Sequence, residues 1–351
     1  MINKPLQKII VLLLIFLTSL TLVAQSTFEA AYAEGTWPST ENLRIDFTDA
    51  QGNETFLPIA IVKGKKQGPV FTMVAGVHGY EYPPIIAVQE LLQEIKAEEL
   101  MGTLIVIPIA STNSFFTRTP FKNANDGVNL NGAFPGRAEG TVTQRIAHLI
   151  TSEIIPKTDV FLDIHGGDAS EDLLPFICYY NNEQKHEQTQ LAKELSEVSG
   201  FEYIVSYAYT LKDSDPAKYV FKQAVQDGKT GVSIEAGKLG NVQPEAVKLI
   251  KIGVYNMLHK MGMYSNGTEI NLPRIYLNNQ EYIRSPETGI FYSDFKAGDH
   301  VENGQLVGVV KDLFGKVLAE IKAPKAGIIL YKTSTPPIST GETLMCISHK
   351  E

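Results

Sequence analysis

The sequence predicts an α/β fold: a sheet covered by helices on both faces, followed by a smaller all-β domain. Three observations predict it. The runs 70–75 and 103–108 are apolar without alternation, the pattern of strands buried on both faces. Helical segments alternate with the strand runs, at 83–99, 141–155, 184–199 and 244–261. From about Leu272 the texture changes to short apolar runs broken by Gly and Pro, with no long helix. A chain of 351 residues has room for one large domain and one smaller one, drawn here at 27–271 and 272–351.

Residues 1–26 read as a removable export leader. Lys4 and Lys8 open it, 9–23 is its apolar core, and Ala24-Gln25-Ser26 closes it with small residues at the cleavage point. An uncleaved anchor is the competing reading, but Thr18, Ser19 and Thr21 interrupt a run already short for spanning a bilayer. The mature chain is expected in the periplasm or outside the cell, with no stable membrane anchor. Removing Lys4 and Lys8 takes the formal charge from −8 to −10. An acidic chain without a basic patch is a poor partner for nucleic acid. Cys178 and Cys346 fall in different expected domains and read as buried free thiols rather than a disulfide.

Residues 27–68 are mixed, with turns at Gly52-Asn53 and Gly64-Lys65 and an edge strand at 57–62 that contains Pro58. Strand 70–75 leads to a helix opened by Pro83-Pro84, residues suited to a first helical turn. After strand 103–108, the segment 110–140 is rich in Asn, Gly, Ser and Thr. It is too long for an idle connection and is expected to line a site. Helix 141–155 leads to strand 159–164. An apolar run at 175–180, helix 184–199 ending at Gly200, an aromatic strand at 203–209, strand 231–235 and helix 244–261 complete the domain.

The C-terminal part contains an internal echo. Ser285-Pro286-Glu287-Thr288-Gly289-Ile290 matches Ala323-Pro324-Lys325-Ala326-Gly327-Ile328, and Lys296-Ala297-Gly298-Asp299 matches Ser339-Thr340-Gly341-Glu342. These half-repeats resemble a lipoyl- or biotinyl-type β-barrel. Such carriers present a lysine on a hairpin tip in a set context. The tip here, Lys311-Asp312-Leu313-Phe314-Gly315, departs from that context, so the module is read as structural.

The chemistry concentrates where strands end. His78-Gly79-Tyr80-Glu81 lies between strand 70–75 and the helix opened by the prolines, where α/β sheets place their sites. An imidazole and a carboxylate three apart suit zinc, which needs three protein ligands when catalytic. Alone, the pair also fits a turn with an incidental histidine. His165, at the end of strand 159–164 and followed by two glycines, is the natural third ligand. Asp163, two residues earlier, points to the same side of the strand and is placed to orient a metal-bound histidine.

These stretches resemble the succinylglutamate desuccinylase and aspartoacylase family, relatives of the zinc carboxypeptidases. The matching pieces are His78-Gly79-Tyr80-Glu81, Asn129-Leu130-Asn131-Gly132-Ala133-Phe134-Pro135-Gly136, Asp163-Ile164-His165 and Ser233-Ile234-Glu235-Ala236-Gly237, in family order. The resemblance implies a mixed sheet of the zinc carboxypeptidase type. It also implies one Zn2+ per chain on His78, Glu81 and His165, and Glu235 as the catalytic carboxylate. Arg118 is the expected oxyanion donor, with a surface arginine as the rival reading. Asn131 is expected to hydrogen-bond the substrate. A pairing of Glu235 with Lys238 is the rival account of that carboxylate.

One position breaks the family pattern. Relatives carry arginine after Asp-Leu-Asn, and it grips a substrate carboxylate through two bonds. This chain has Gly132, and Arg137 is the nearest replacement. Unless Arg137 serves, the cleft is expected to accept substrates whose carboxylate is blocked or absent. The expected function is an exported zinc hydrolase that cuts an amide bond in a small acylated amino acid or short peptide-like substrate. A zinc carboxypeptidase and a catalytically silent metal-cleft binding protein are the alternatives.

Overall fold

The computed structural model describes residues 27–268 and 273–350. The expected leader at 1–26 and the expected domain boundary at 271/272 lie outside the described residues. Helix α1 (Thr27–Glu34) precedes strands β1 (Ser39–Thr48), β2 (Glu54–Lys63) and β3 (Val70–Ala75). Then come α2 (Tyr82–Glu94), β4 (Thr103–Ile107), α3 (Thr112–Thr117), α4 (Val142–Leu149), β5 (Val160–His165), β6 (Glu171–Leu173) and β7 (Phe176–Asn181). The run continues through α5 (His186–Val198), β8 (Tyr203–Ala208), α6 (Val220–Gln226), β9 (Thr230–Glu235), α7 (Pro244–Lys260) and β10 (Ile275–Leu277).

These strands form one nine-stranded mixed sheet in the order β1-β2-β4-β3-β5-β9-β7-β8-β10. The central pairs β4·β3, β3·β5 and β5·β9 are parallel, and β7 turns antiparallel to β9. Strand alternation sorts side chains between two cores. On one face Met73, Val106, Leu162 and Val232 pack with Leu91 of α2, Leu195 of α5 and Met257 of α7. On the other, Val74, Ile105 and Phe161 pack with Phe28 of α1, Ile146 of α4 and Val220 of α6. The expected helix cover on both faces is therefore present.

Three boundaries differ from expectation. The stretch 57–62 is not an edge: β2 lies between β1 and β4, and β1 is the edge. Strand β4 pairs only with Ala60–Lys63, so Pro58 lies before the part of β2 that has neighbours on both sides. Helix α2 stops at Glu94, because Ile95 is extended and Lys96 to Leu100 form a separate turn. The helix expected over 141–155 is α-helical only to Leu149, then passes through a π-turn (Ile150–Ile154) and a 3-10 turn (Ile155–Lys157). Pro156 has no N–H to continue the ladder, and its ring crowds the carbonyl four residues back.

Strand pairing changes sheets after β10. Strands β11 (Asn279–Arg284), β12 (Gly289–Tyr292), β13 (His300–Val301), β14 (Leu306–Lys311), β15 (Val317–Lys322), β16 (Gly327–Thr333), β17 (Pro337–Ile338) and β18 (Thr343–His349) form two further sheets. Phe291, Val310, Ile321, Ile329 and Ile347 share one core between them. The sequence echo is a structural one. Gly289 opens β12 beside β14, and Gly327 opens β16 beside β18. A Cβ at the first would run into the Lys311 carbonyl, and at the second into the Ser348 carbonyl. At the hairpin tip, Lys311 lies over the Tyr292 ring, its ammonium 4.6 Å from the ring centroid. Strand β6 leaves the first part of the chain to pair with β16, which holds the C-terminal sheets against the mouth of the site described next.

Candidate active site

The site lies on the α1/α4/α6 face, at the C-terminal ends of β5 and β9. Alternation puts Asp163 and His165 of β5, and Ser233 and Glu235 of β9, on that face, and the parallel register sets His165 directly beside Glu235. Strand β3 delivers the remaining ligands through the turn after Ala75. Gly76 makes the turn possible, with φ +64° and Ile109 Cα where a Cβ would need to pack. Glu81 then occupies the N-cap position of α2, but its side chain makes no cap hydrogen bond. The carboxylate is thereby left for other partners.

Those partners are two imidazoles. His78 Nδ1 lies 2.6 Å from Glu81 Oε1, and His165 Nδ1 lies 2.9 Å from Glu81 Oε2. Each ring's far nitrogen meets an oxygen. Nε2 of His78 is 3.1 Å from Asn129 Oδ1, and Nε2 of His165 is 3.0 Å from Asp163 Oδ1. A proton on Nε2 of His78 satisfies Asn129 Oδ1, the Asp163 carboxylate faces His165 as an ion-pair partner without a hydrogen bond, and each Nδ1 points at the same small volume beside Glu81. The ligand atoms of His78, Glu81 and His165 all lie within 4.8 Å of one another. Two nitrogens and a carboxylate oxygen, with both rings fixed from behind, fit the donor set of a catalytic zinc.

Electrostatics support that reading. Glu81 is buried, and burial alone would raise its carboxyl, but His78 and His165 outweigh it and hold it below the usual carboxylate range. Burial likewise works against a charged His165, yet Asp163 and Glu81 push that ring well above its ordinary value. Without a cation, protons on the imidazoles balance the carboxylates; a metal ion binds by displacing them. Asp163→Asn is expected to weaken metal binding by about 10–100-fold with the fold intact. Competition against a chelator measures this, and unchanged affinity would show that Asp163 does not orient His165.

The three ligands open onto a cavity of about 520 Å³. Glu235 and Asn131 line it. Burial, reinforced by Glu81 and Glu171, holds the Glu235 carboxyl well above the usual range, which suits a group that must take and return a proton. Lys238 is not its partner, since its ammonium pairs with Asp172 at 2.9 Å. Asn131 places Nδ2 3.3 Å from His165 Nε2, and its buried Oδ1 has no partner among the described residues.

The two arginines are not brought to this cavity. Arg118 ends α3 in the left-handed region, at φ +53°, with its side chain exposed. Phe121 (φ +58°) takes the place beside the ligands, with its ring edge-on to His78 at 5.5 Å between centroids. Arg137 Nη2 donates to Gln144 Oε1 at 3.0 Å on the outer surface. Sequence reasoning also missed several lining residues. Tyr180 and Tyr207 sit on the same face of β7 and β8 as Cys178, and period-two counting along those strands could have found them. Glu171, whose carboxyl burial raises to about 7, carried no such signal. Nor did Tyr282, Arg284 and Tyr331, which reach the cavity from the C-terminal sheets.

Known proteins share this architecture. Residues 67–261 match the family model described as the succinylglutamate desuccinylase/aspartoacylase catalytic domain. The chain is 29% identical over 323 residues to the N-alpha-acetyl-L-2,4-diaminobutyric acid deacetylase of Halomonas elongata, covering 90% of this chain and 92% of that one. It superimposes on the product-bound ectoine utilization protein EutE (DoeB) of Ruegeria pomeroyi with a TM-score of 0.79 at 24% identity, over 89% of this chain and 95% of the other. A succinylglutamate desuccinylase/aspartoacylase of Rhodobacter sphaeroides gives 0.80 at 21% identity, over 91% and 98%.

Proposed function

The chain belongs to the succinylglutamate desuccinylase/aspartoacylase family, and from that premise we propose that it is an exported zinc-dependent amidohydrolase that removes the acyl group from a small N-acyl amino acid. The observation that carries the proposal is the meeting of His78, His165 and Glu81 at one point, with Glu235 beside them on the neighbouring strand. The deacetylase relative supports an acyl group on an amino-acid nitrogen as the substrate class.

Zinc bound by such ligands supplies acidified water and polarisation of an acyl carbonyl. The protein's own part is positional. Asn131 offers its unpartnered Oδ1 to a substrate N–H, holding the acyl amide across the cavity. Glu235 accepts the proton of the attacking water on its carboxylate and donates it to the leaving nitrogen as the C–N bond breaks. The tyrosines of β7 and β8 wall the cavity against bulk water, which strengthens each of these contacts.

Assay of the metal-loaded protein on a panel of N-acyl amino acids and short peptides tests the proposal. Turnover of the acyl amino acids that a chelator abolishes is the expected result; hydrolysis confined to peptides would reassign it as a peptidase. Amino-terminal sequencing of the exported protein tests the leader, with cleavage after residue 26 expected.

Position 132 also admits a test. A Cβ on Gly132 would meet only the Asn129 carbonyl, at 3.3 Å, and its backbone is outside the left-handed region. Gly132→Arg is therefore expected to fold with a stability change of about 0.5 kcal/mol or less, the usual range for exposed positions. It is also expected to raise preference for free-acid substrates. Thermal melting and the ratio of kcat/KM for matched acid and amide substrates measure the two effects.

A further inference from the structure

The substrate class just proposed carries a carboxylate, and the cavity already holds several of its own. Glu81, Asp163, Glu171 and Glu235 all line it. The arginine that the family resemblance implies after Asn131 is absent, Gly132 standing there, and neither Arg118 nor Arg137 lines the space. Among the described residues that line the cavity, Arg284 is the one lysine or arginine. It comes from β11, outside the large sheet.

Its placement is built. Strand β11 is held on β18 in a register that sets Arg284 opposite Thr343, with an irregularity between Ile283 and Arg284. The extra residue, Leu344, lies on β18, so alternation along β11 is kept. Tyr282 and Arg284, two apart on the strand, both face the cavity. Nη1 of Arg284 donates to the Gly341 carbonyl at 2.9 Å, in the turn before β18. That bond fixes one arm of the guanidinium, and no carboxylate pairs with the rest among the described residues. Arg284 is exposed where it lines the cavity, and a planar fork with one arm anchored at such a rim is suited to a carboxylate.

Resting on the deacylase reading above, we propose that Arg284 grips the carboxylate of the acylated amino acid, so that the C-terminal sheets set substrate specificity. The charge pattern orients the substrate. Its carboxylate stays at the mouth beside Arg284, away from Glu171 and Glu235, and its acyl end points inward to His78, Glu81 and His165. This reverses the expectation drawn from Gly132, since a cation from another sheet occupies the missing role.

Equilibrium binding in metal-loaded protein carrying Glu235→Gln, expected to turn substrate over about 10²–10⁴-fold more slowly, isolates the contact. The probes are N-acetyl amino acids and their matched α-carboxamides, measured by calorimetry. At least one free acid is expected to bind roughly ten- to a hundredfold more tightly than its amide, the scale of a charge-assisted contact. Adding Arg284→Gln should bring acid and amide within about threefold, and Arg284→Lys should keep part of the preference. Arg274→Gln, which removes an exposed charge elsewhere, should leave it unchanged. Thermal melts of both Arg284 variants separate loss of the contact from loss of the β11–β18 turn. An acid preference that survives Arg284→Gln overturns the proposal, and so does the absence of any acid preference in the parent. Turnover is read separately with Glu235 intact: Arg284-dependent acid binding without hydrolysis would keep the anchor and remove the hydrolase.

Discussion

Glu235→Gln is expected to retain metal and lose turnover by about 10²–10⁴-fold, the usual cost of removing a general base. The substitution keeps size and shape but removes the ability to accept a proton. Three observations concentrate the expectation on this residue. It ends β9 in register with His165, so it stands beside the ligands without being one of them. Burial holds its carboxyl well above the ordinary range, with Glu81 and Glu171 adding to that effect. Lys238, the cation that could have made it a structural ion pair, is bonded to Asp172 instead. Metal content by elemental analysis and kcat on the best N-acyl amino acid are the two readouts. Near-normal kcat would move the base elsewhere in the cavity, with Glu171 the next carboxylate to test.

The ligand set was legible in the sequence because His165 ends one apolar strand and His78 and Glu81 sit in the short turn that follows another. A polar residue there has left the hydrophobic ladder, and alternation predicts which side it faces. Asp163 and His165 share a face for that reason, and the 3.0 Å approach of Asp163 to the ring follows from it. Arg118 was harder to place, because it lies in a long loop whose path depends on many weak contacts. There the left-handed turns at Arg118 and Phe121 carry the first outward and set the second against His78. The edge at β1 did carry a signal, the alternation of Leu43, Ile45 and Phe47 with Arg44 and Asp46, which the mixed composition around it obscured. Arg284 could not be read at all. Its arrival at the cavity depends on β6 crossing to β16 and on β11 adding to β18, pairings between segments far apart in the chain that no local pattern records.

His165→Ala and His78→Ala are each expected to lose metal and turnover together, which distinguishes them from Glu235→Gln. Either substitution leaves one nitrogen and the Glu81 carboxylate, too few protein ligands for a catalytic zinc site. The loss should also appear where activity plays no part. A metal that binds only the folded state stabilises it by about 2.7 kcal/mol when present at a hundred times its Kd, so zinc should raise the melting temperature of the parent protein. It should do so for Glu235→Gln as well, and not for either histidine variant at the same zinc concentration. Removing His165 also strips Glu81 of one of the two rings that hold its carboxyl low, so some intrinsic destabilisation is expected in the metal-free state. The zinc-dependent shift within each variant is therefore the quantity to compare, rather than the melting temperatures themselves. Equal metal content and equal zinc-dependent shifts in the parent and both histidine variants would place the metal somewhere other than between β3 and β5.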